Sequence, residues 1–306
     1  MDMKQSSRPL LLAGLCGLFL WLLADAGTVR ADASAALTLC AGNVIPALLP
    51  FLVLSDLLAS LGVDRWLAPL FSGLMGPLVH LPGCAASAWL LGLAGGYPVG
   101  PRAAAELYRR GRLTIPEACR LLTFCSNASP AFLISVLGAG VFGSTGTGVC
   151  LWLIHLTASL LTGLLFRGGR RELRSAVPSV SESDVSFPGA LSGAILRSGQ
   201  AMTSICTCVV FFYVLASPLR RIGGPAAPLL AGLTELFTLT PLLTADRAGL
   251  VLASACTGWG GLSVLCQNAS VLEGSGLPIR ACLRGKLMQG LLAGALTALL
   301  SSFLLP

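Results

Sequence analysis

The sequence predicts an all-α polytopic membrane protein made of two inverted repeats, each with about three crossing helices, a re-entrant hairpin and a broken helix. Three observations lead there. Of 306 residues 55% are hydrophobic and 11% charged, against roughly 25% charged in a soluble domain. No polar stretch longer than about 20 residues is present to fold outside a bilayer. Two apolar runs also break on glycine and proline, at Gly95-Gly96-Tyr97-Pro98-Val99-Gly100 and at Gly258-Trp259-Gly260-Gly261-Leu262-Ser263, and each leads into polar residues. Broken helices at matching places in two halves point to a transporter's substrate site, because unwound backbone and half-helix ends supply fixed dipoles at membrane depth.

The elements follow in order. Lys4 and Arg8 precede an apolar run from Leu10 to Leu23, then Ala24-Asp25-Ala26. A short first span and a cleaved leader share this pattern, and a counterpart in the second half favours retention. Long apolar runs predict spans near residues 36–61, 117–141, 148–166, 189–216 and 279–305. Between them, residues 67–97 are interrupted by Pro69, Pro77, Pro82 and Gly83, and residues 226–258 by Pro228, Pro241 and Asp246-Arg247. Both are expected as re-entrant hairpins that do not cross.

The same order recurs in both halves. Gly42-Asn43 aligns with Gly199-Gln200 at an offset of 157, and Gly96 with Gly258 at an offset of 162, which argues for duplication. Three crossings per half invert the second copy. The first repeat then covers residues 1–146 and the second 147–306, with residues 167–188 as a Ser-, Pro- and acid-containing cytoplasmic linker inside the latter. The net charge of +7, from 20 basic and 13 acidic residues, is topological information and implies no nucleic-acid partner. In the inverted arrangement twelve basic residues, Arg102, Arg109, Arg110 and Arg112 among them, lie inside. Six lie outside: Arg30, Arg220, Arg221, Arg280, Arg284 and Lys286. Eleven cysteines show no metal-binding spacing and read as small buried hydrophobes. No metal, cofactor or catalytic residue is expected.

The candidate substrate-binding residues sit at and after the breaks. Gly96, Tyr97, Pro98 and Gly100 offer backbone at the first, followed by Arg102 and Glu106 as an i,i+4 pair on a short helix that Gly111 would cap. An interfacial helix with a surface ion pair is the plainer account of that pair. Asn127 and Ser129 lie in a polar run before Pro130, which frees carbonyls inside an apolar span. Gly260, Gly261, Ser263, Gln267 and Asn268 are their counterparts at the second break. Glu235, with Thr238 after it, is an acid inside the second interrupted region. An ionisable group at that depth costs about 3 kcal/mol on insertion scales and is functional by default. It would couple a proton or sodium ion, accept a substrate hydrogen bond, or pair with Arg197 or Arg247. Gly138-Ala-Gly140-Val-Phe-Gly143 fits a dinucleotide fingerprint in letters only, since no strand precedes it. His80 and His155 read as packing residues.

Four separated motifs then agree on a family. Gly96-Tyr97-Pro98-Val99-Gly100 with Glu106-Leu107, Phe124 to Pro130, Thr234-Glu235 with Thr238, and Gly260-Gly261-Leu262-Ser263-Val264 with Gln267 resemble the YlbJ-type sporulation integral membrane proteins. Those proteins carry the nucleoside-recognition (Gate) domain and are related to concentrative nucleoside transporters. The resemblance spans residues of about 36 to 290 and implies a multi-pass bacterial cytoplasmic-membrane protein made during spore formation. It also implies passage of a small solute, with dipicolinic acid as the cargo. Pro101, where a small residue is usual, and Cys125-Ser126, in place of an amide-rich stretch, depart from the pattern. A planar dicarboxylate suits half-helix N-termini and Arg102 or Arg197. A nucleoside, whose hydroxyls suit Glu235 and two amides, is the alternative cargo. A non-transporting membrane scaffold for spore assembly is the alternative role. The expected partners are the solute and the bilayer; coupling ion and homo-oligomerisation stay open.

Overall fold

The computed structural model describes residues 8–168 and 186–304, all helix, turn or coil. Most of the expected linker, residues 169–185, lies outside the described residues, as does Lys4. Helix α1 (Arg8–Ala24) meets α2 (Ala26–Leu39) at Asp25, and α2 continues through a π-helical turn, Cys40–Val44, into α3 (Ile45–Ser60). The result is one 35-residue rod, Ala26–Ser60, ten residues longer at its start than hydropathy predicts. Its polar first turns are held by ion pairs to the end of a later helix: Asp25 to Arg221 at 2.8 Å, and Asp32 to Arg220 and Arg221 at 2.8 and 3.0 Å. Charge pairing therefore extends the helix where the apolar signal fades.

The expected first hairpin consists of α4 (Val63–Val79), which runs through Pro69 and Pro77, and α5 (Ala85–Gly95). Next come α6 (Val99–Arg109) and α7 (Ile115–Leu122). Gly111 ends α6 as expected, with φ +66° and the Arg112 amide donating to the Leu107 carbonyl at 2.8 Å. A reciprocal Thr114–Glu117 capping box starts α7. The predicted continuous span at 117–141 is not continuous. The chain unwinds from Thr123 to Pro130, recoils as a π-helix at Ala131–Val141, and turns into α8 (Thr145–Leu165). Polar side chains and a proline compete with the helical ladder there and win. The glycines of the dinucleotide-like run serve packing: a Cβ on Gly138 would meet the backbone of Gly148 on α8.

After the undescribed stretch comes α9 (Phe187–Ile222). The expected single hairpin at 226–258 is in pieces: α10 (Ala227–Thr234), an extended Glu235, α11 (Leu236–Leu239) and a 3-10 turn at Thr240–Leu242. After it, α12 (Arg247–Trp259) is capped by Asp246, and α13 (Gly261–Leu272) and α14 (Arg280–Leu304) complete the chain. The break lies two residues later than the sequence alignment placed it. Gly258 is inside α12, against the backbone of Gln289 and Gly290, and the chain turns at Gly260 and Gly261 (φ +88° and +83°). Among the described residues four helical stretches are long and apolar enough to cross a membrane: Ala26–Ser60, Thr145–Leu165, Phe187–Arg221 and, across the Gly260 turn, Arg247–Leu272.

Candidate functional site

The breaks of the two halves meet at one cavity. It measures about 70 Å³ and is lined by Gly96, Tyr97, Ser129, Glu235, Ser263 and Gln267, so it brings together six of the predicted site residues. Phe132 and Phe237, stacked edge to face with centroids 5.2 Å apart, join the apolar part of its wall. At about 70 Å³, against roughly 300–1,000 Å³ for small-molecule pockets, the space is too small for a ring-sized solute in this conformation.

Each polar group on the wall is set by a local irregularity. Glu235 has extended backbone (φ −157°) and accepts from the Thr238 amide at 2.7 Å and its hydroxyl at 3.2 Å, capping α11. It is 2% exposed and forms no ion pair among the described residues; Arg197 pairs with Asp56 instead. Gln267 donates to Ser263 at 3.3 Å, one turn apart on α13. Ser129 accepts from the Phe132 amide at 3.3 Å, closing the turn around Pro130. At the first break the Gly96 and Val99 amides are satisfied by the Gly92 and Gly96 carbonyls, and the Tyr97 hydroxyl donates to the Thr257 carbonyl of α12. That bond ties the first break to the approach of the second.

Behind this wall lies a fully buried polar network that holds the unwound segment. Asn127 donates to the Phe124 carbonyl at 2.9 Å and accepts from Gln289 at 2.9 Å. His155 Nε2 accepts from the Ala128 amide at 3.0 Å and lies 3.2 Å from Gln289 Nε2. Asn268 and Ser126 exchange hydrogen bonds. Asn127 and Asn268 therefore face the protein interior and not the cavity: their amides are consumed by the carbonyls and hydroxyls that Pro130 and its neighbours leave without helical partners. Gly100 belongs to the same support, since a Cβ there would collide with the Cys125 carbonyl.

Lys286 completes the network, and the sequence reading misplaced it. Counted there as an outside loop charge, it is 1% exposed in α14. Its Nζ donates to the Ser126 carbonyl at 3.0 Å and to Gln289 at 3.3 Å, and stands 4.6 Å from the Tyr97 ring centroid. A Cβ on Gly260 would also meet its Cε at 3.2 Å, so one side chain lies beside all three irregular segments. The overlooked signal was a stripe: Lys286, Gln289, Ala293 and Thr297 share one face of α14. The lower part of that stripe meets Ser254 of α12, which donates to the Ala293 carbonyl and accepts from Thr297.

Arg102 is not at the breaks. It points into a separate cleft, where it pairs with Asp56 at 3.1 Å. The expected Arg102–Glu106 pair does not form; Glu106 binds Arg109 and Arg110 at 2.9 and 2.7 Å. Burial pushes the Glu106 carboxyl up, but the two guanidiniums outweigh it and leave it below the usual carboxylate value.

Comparison with known proteins agrees with this architecture. Residues 41–148 match the family described as nucleoside recognition (Gate). That stretch holds the first break, the unwound segment and the first half of the cavity wall. Over 84% of its length the chain is 26% identical to the sporulation integral membrane protein YlbJ of Bacillus subtilis (strain 168), covering 74% of that protein. No solved structure matches it significantly. The chain is thus a multi-pass membrane protein that matches the nucleoside-recognition (Gate) family over residues 41–148 and is similar over most of its length to the sporulation integral membrane protein YlbJ.

Proposed function

We propose that the protein carries a small anionic metabolite across the membrane during spore formation, dipicolinic acid being the cargo that the resemblance suggests, and that the cargo occupies a widened form of the cavity between the breaks. One observation carries this: irregular backbone from both halves, far apart in sequence, closes a single buried cavity bearing Glu235, Gln267 and Ser263. Non-helical backbone at membrane depth is tolerated where it is buried or lines such a cavity. The protein supplies hydrogen bonds and shape and breaks no covalent bond.

In this proposal the halves are inverted copies whose closing helices are α8 and α14, in contact through His155 and Gln289, which moves the boundary between them from residue 146 to the linker after α8. Element order then pairs the Thr123–Pro130 break with Gly260 and the Gly96 break with Glu235, which revises the pairing of Gly96 with Gly258. Nucleoside transport is the second reading, favoured by Glu235 and Gln267 on the cavity wall, two groups able to bind ribose hydroxyls. Uptake by cells expressing wild type, Glu235→Ala or Gln267→Ala, with radiolabelled dipicolinate or uridine, tests both. Loss of uptake of one solute at normal protein abundance supports the site and names the cargo; unchanged uptake in both variants removes the cavity from the pathway.

A further inference from the structure

A second cavity, larger than the first, lies between α3, α6 and the start of α9. It measures about 340 Å³, inside the roughly 300–1,000 Å³ range of small-molecule pockets. Four arginines line it, Arg102, Arg109, Arg110 and Arg197, against two carboxylates, Asp56 and Glu106. Asp56 is largely buried and receives a guanidinium from each side: Arg102 of α6 at 3.1 Å and Arg197 of α9 at 2.7 Å, the latter also donating to Ser60 at 2.9 Å. The two arginines come from different halves of the chain and converge on one carboxylate. The fold has therefore assembled a carboxylate-binding fork and occupied it with its own side chain.

The cleft also has a definite place. Along the Ala26–Ser60 rod, Val44, Ala47 and Leu48 line the break cavity, and Leu52, Ser55 and Asp56 line the cleft. One helical turn, about 5.4 Å, separates the two sets on the same helix. Helix α9 repeats the arrangement, with Ile205 and Val209 at the cavity and Arg197 at the cleft. The two spaces thus follow one another along the α3–α9 seam, the basic one toward the arginine-rich end of α6.

We propose that this cleft is an anion-binding vestibule that takes a soluble dicarboxylate or phosphate dianion and is self-occupied by Asp56 when empty. Its position on a path rests on the transport function proposed above; its binding of an anion does not. Guanidiniums suit the task because their planar donor fork engages two oxygens at once and stays charged. Four guanidiniums outnumber the two carboxylates of the lining, and an anion with two charged groups complements the Arg102 and Arg197 pair.

Equilibrium binding of isophthalate and of inorganic phosphate to the full-length protein in phosphatidylcholine nanodiscs tests this. The expected result is saturable, salt-sensitive binding, weakened at least tenfold in Arg102→Gln and Arg197→Gln and tightened in Asp56→Asn, where the internal competitor is neutral. Arg197→Lys keeps the charge but loses the fork and should fall between. No binding to either wild type or Asp56→Asn overturns the proposal, as does equal binding by wild type and folded arginine variants, or unchanged or weaker binding by Asp56→Asn. Displacement of isophthalate when phosphatidylglycerol replaces phosphatidylcholine overturns the soluble-ligand assignment in favour of a lipid headgroup. Phosphate binding that the wild type shows and the two arginine variants lose, in a protein that takes up neither dipicolinate nor uridine, keeps the vestibule while the transport pathway fails, so the two failures are read separately.

Discussion

Lys286 donates to the Ser126 carbonyl at 3.0 Å across 160 residues of sequence. An ammonium group in a membrane interior is expensive unless its protons are used. Here the donors go to a carbonyl freed by helix unwinding and to the Gln289 amide oxygen, and the Tyr97 ring lies nearby. The charged group supports the irregular backbone, and the irregular backbone in turn gives that group its partners.

Replacing Lys286 with methionine should destabilise the protein by about 1–3 kcal/mol, because the Ser126 carbonyl is left buried without a donor. Thermal unfolding in detergent micelles, followed by circular dichroism, measures this. An unchanged midpoint would mean that water or another group takes over the carbonyl.

Gly100→Ala and Gly285→Ala should both be damaging. A Cβ at Gly100 meets the Cys125 carbonyl, and one at Gly285 meets the Thr123 backbone, so each would push on the unwound segment. Gly199→Ala is the control: nothing lies within 4 Å of its Cβ, and alanine in a helix is favoured over glycine by about 1 kcal/mol. Folded yield and melting temperature should fall for the first two and hold or rise for the third.

Tyr97 makes two separable contacts. Tyr97→Phe removes the hydroxyl bond to Thr257 and keeps the ring beside Lys286, a loss of about 1 kcal/mol. Tyr97→Leu removes both and should cost about 0.5–2 kcal/mol more. Equal melting temperatures for the two variants would show that the ring face contributes nothing.

Asp246 gives a pH signature. The Gly249 amide, donating at 2.7 Å to its side chain, holds the carboxyl below its ordinary value of 3.8. A depressed folded-state value means the stabilisation is fully present above the unfolded value and is lost as the pH falls through the lower folded one. Acid titration of the melting temperature should therefore show a decline below about pH 3.8 that is shallower in Asp246→Asn. Asparagine caps a helix about as well as aspartate, so the two proteins should match at neutral pH.

The sequence disclosed those features that depend on neighbours along the chain. Glycine and proline marked the breaks, Gly111 marked the end of α6, and apolar length marked α8 and α9 within a few residues. It failed where distant segments decide. The start of α2 at Ala26 depends on Arg220 and Arg221. Arg102 turned from its helix neighbour Glu106 to Asp56 because α3 offers a less exposed carboxylate. Asn127 and Asn268 were expected among the substrate-binding residues, but the fold has them hold the unwound chain and leaves the cavity to Glu235, Ser263 and Gln267. Lys286 was hidden because a lone lysine near the start of an apolar run is read as a boundary charge.

The bond from Tyr97 to the Thr257 carbonyl has a mechanical corollary. The residue that follows the first glycine break is fastened to the helix leading into the second, and its ring lies against a lysine on the closing helix. A widening of the cavity on one side cannot leave the other side at rest, because the same aromatic residue would have to release α12 or carry it along. In the transport cycle proposed above the two breaks would therefore move together, one unfastening at Tyr97 serving both.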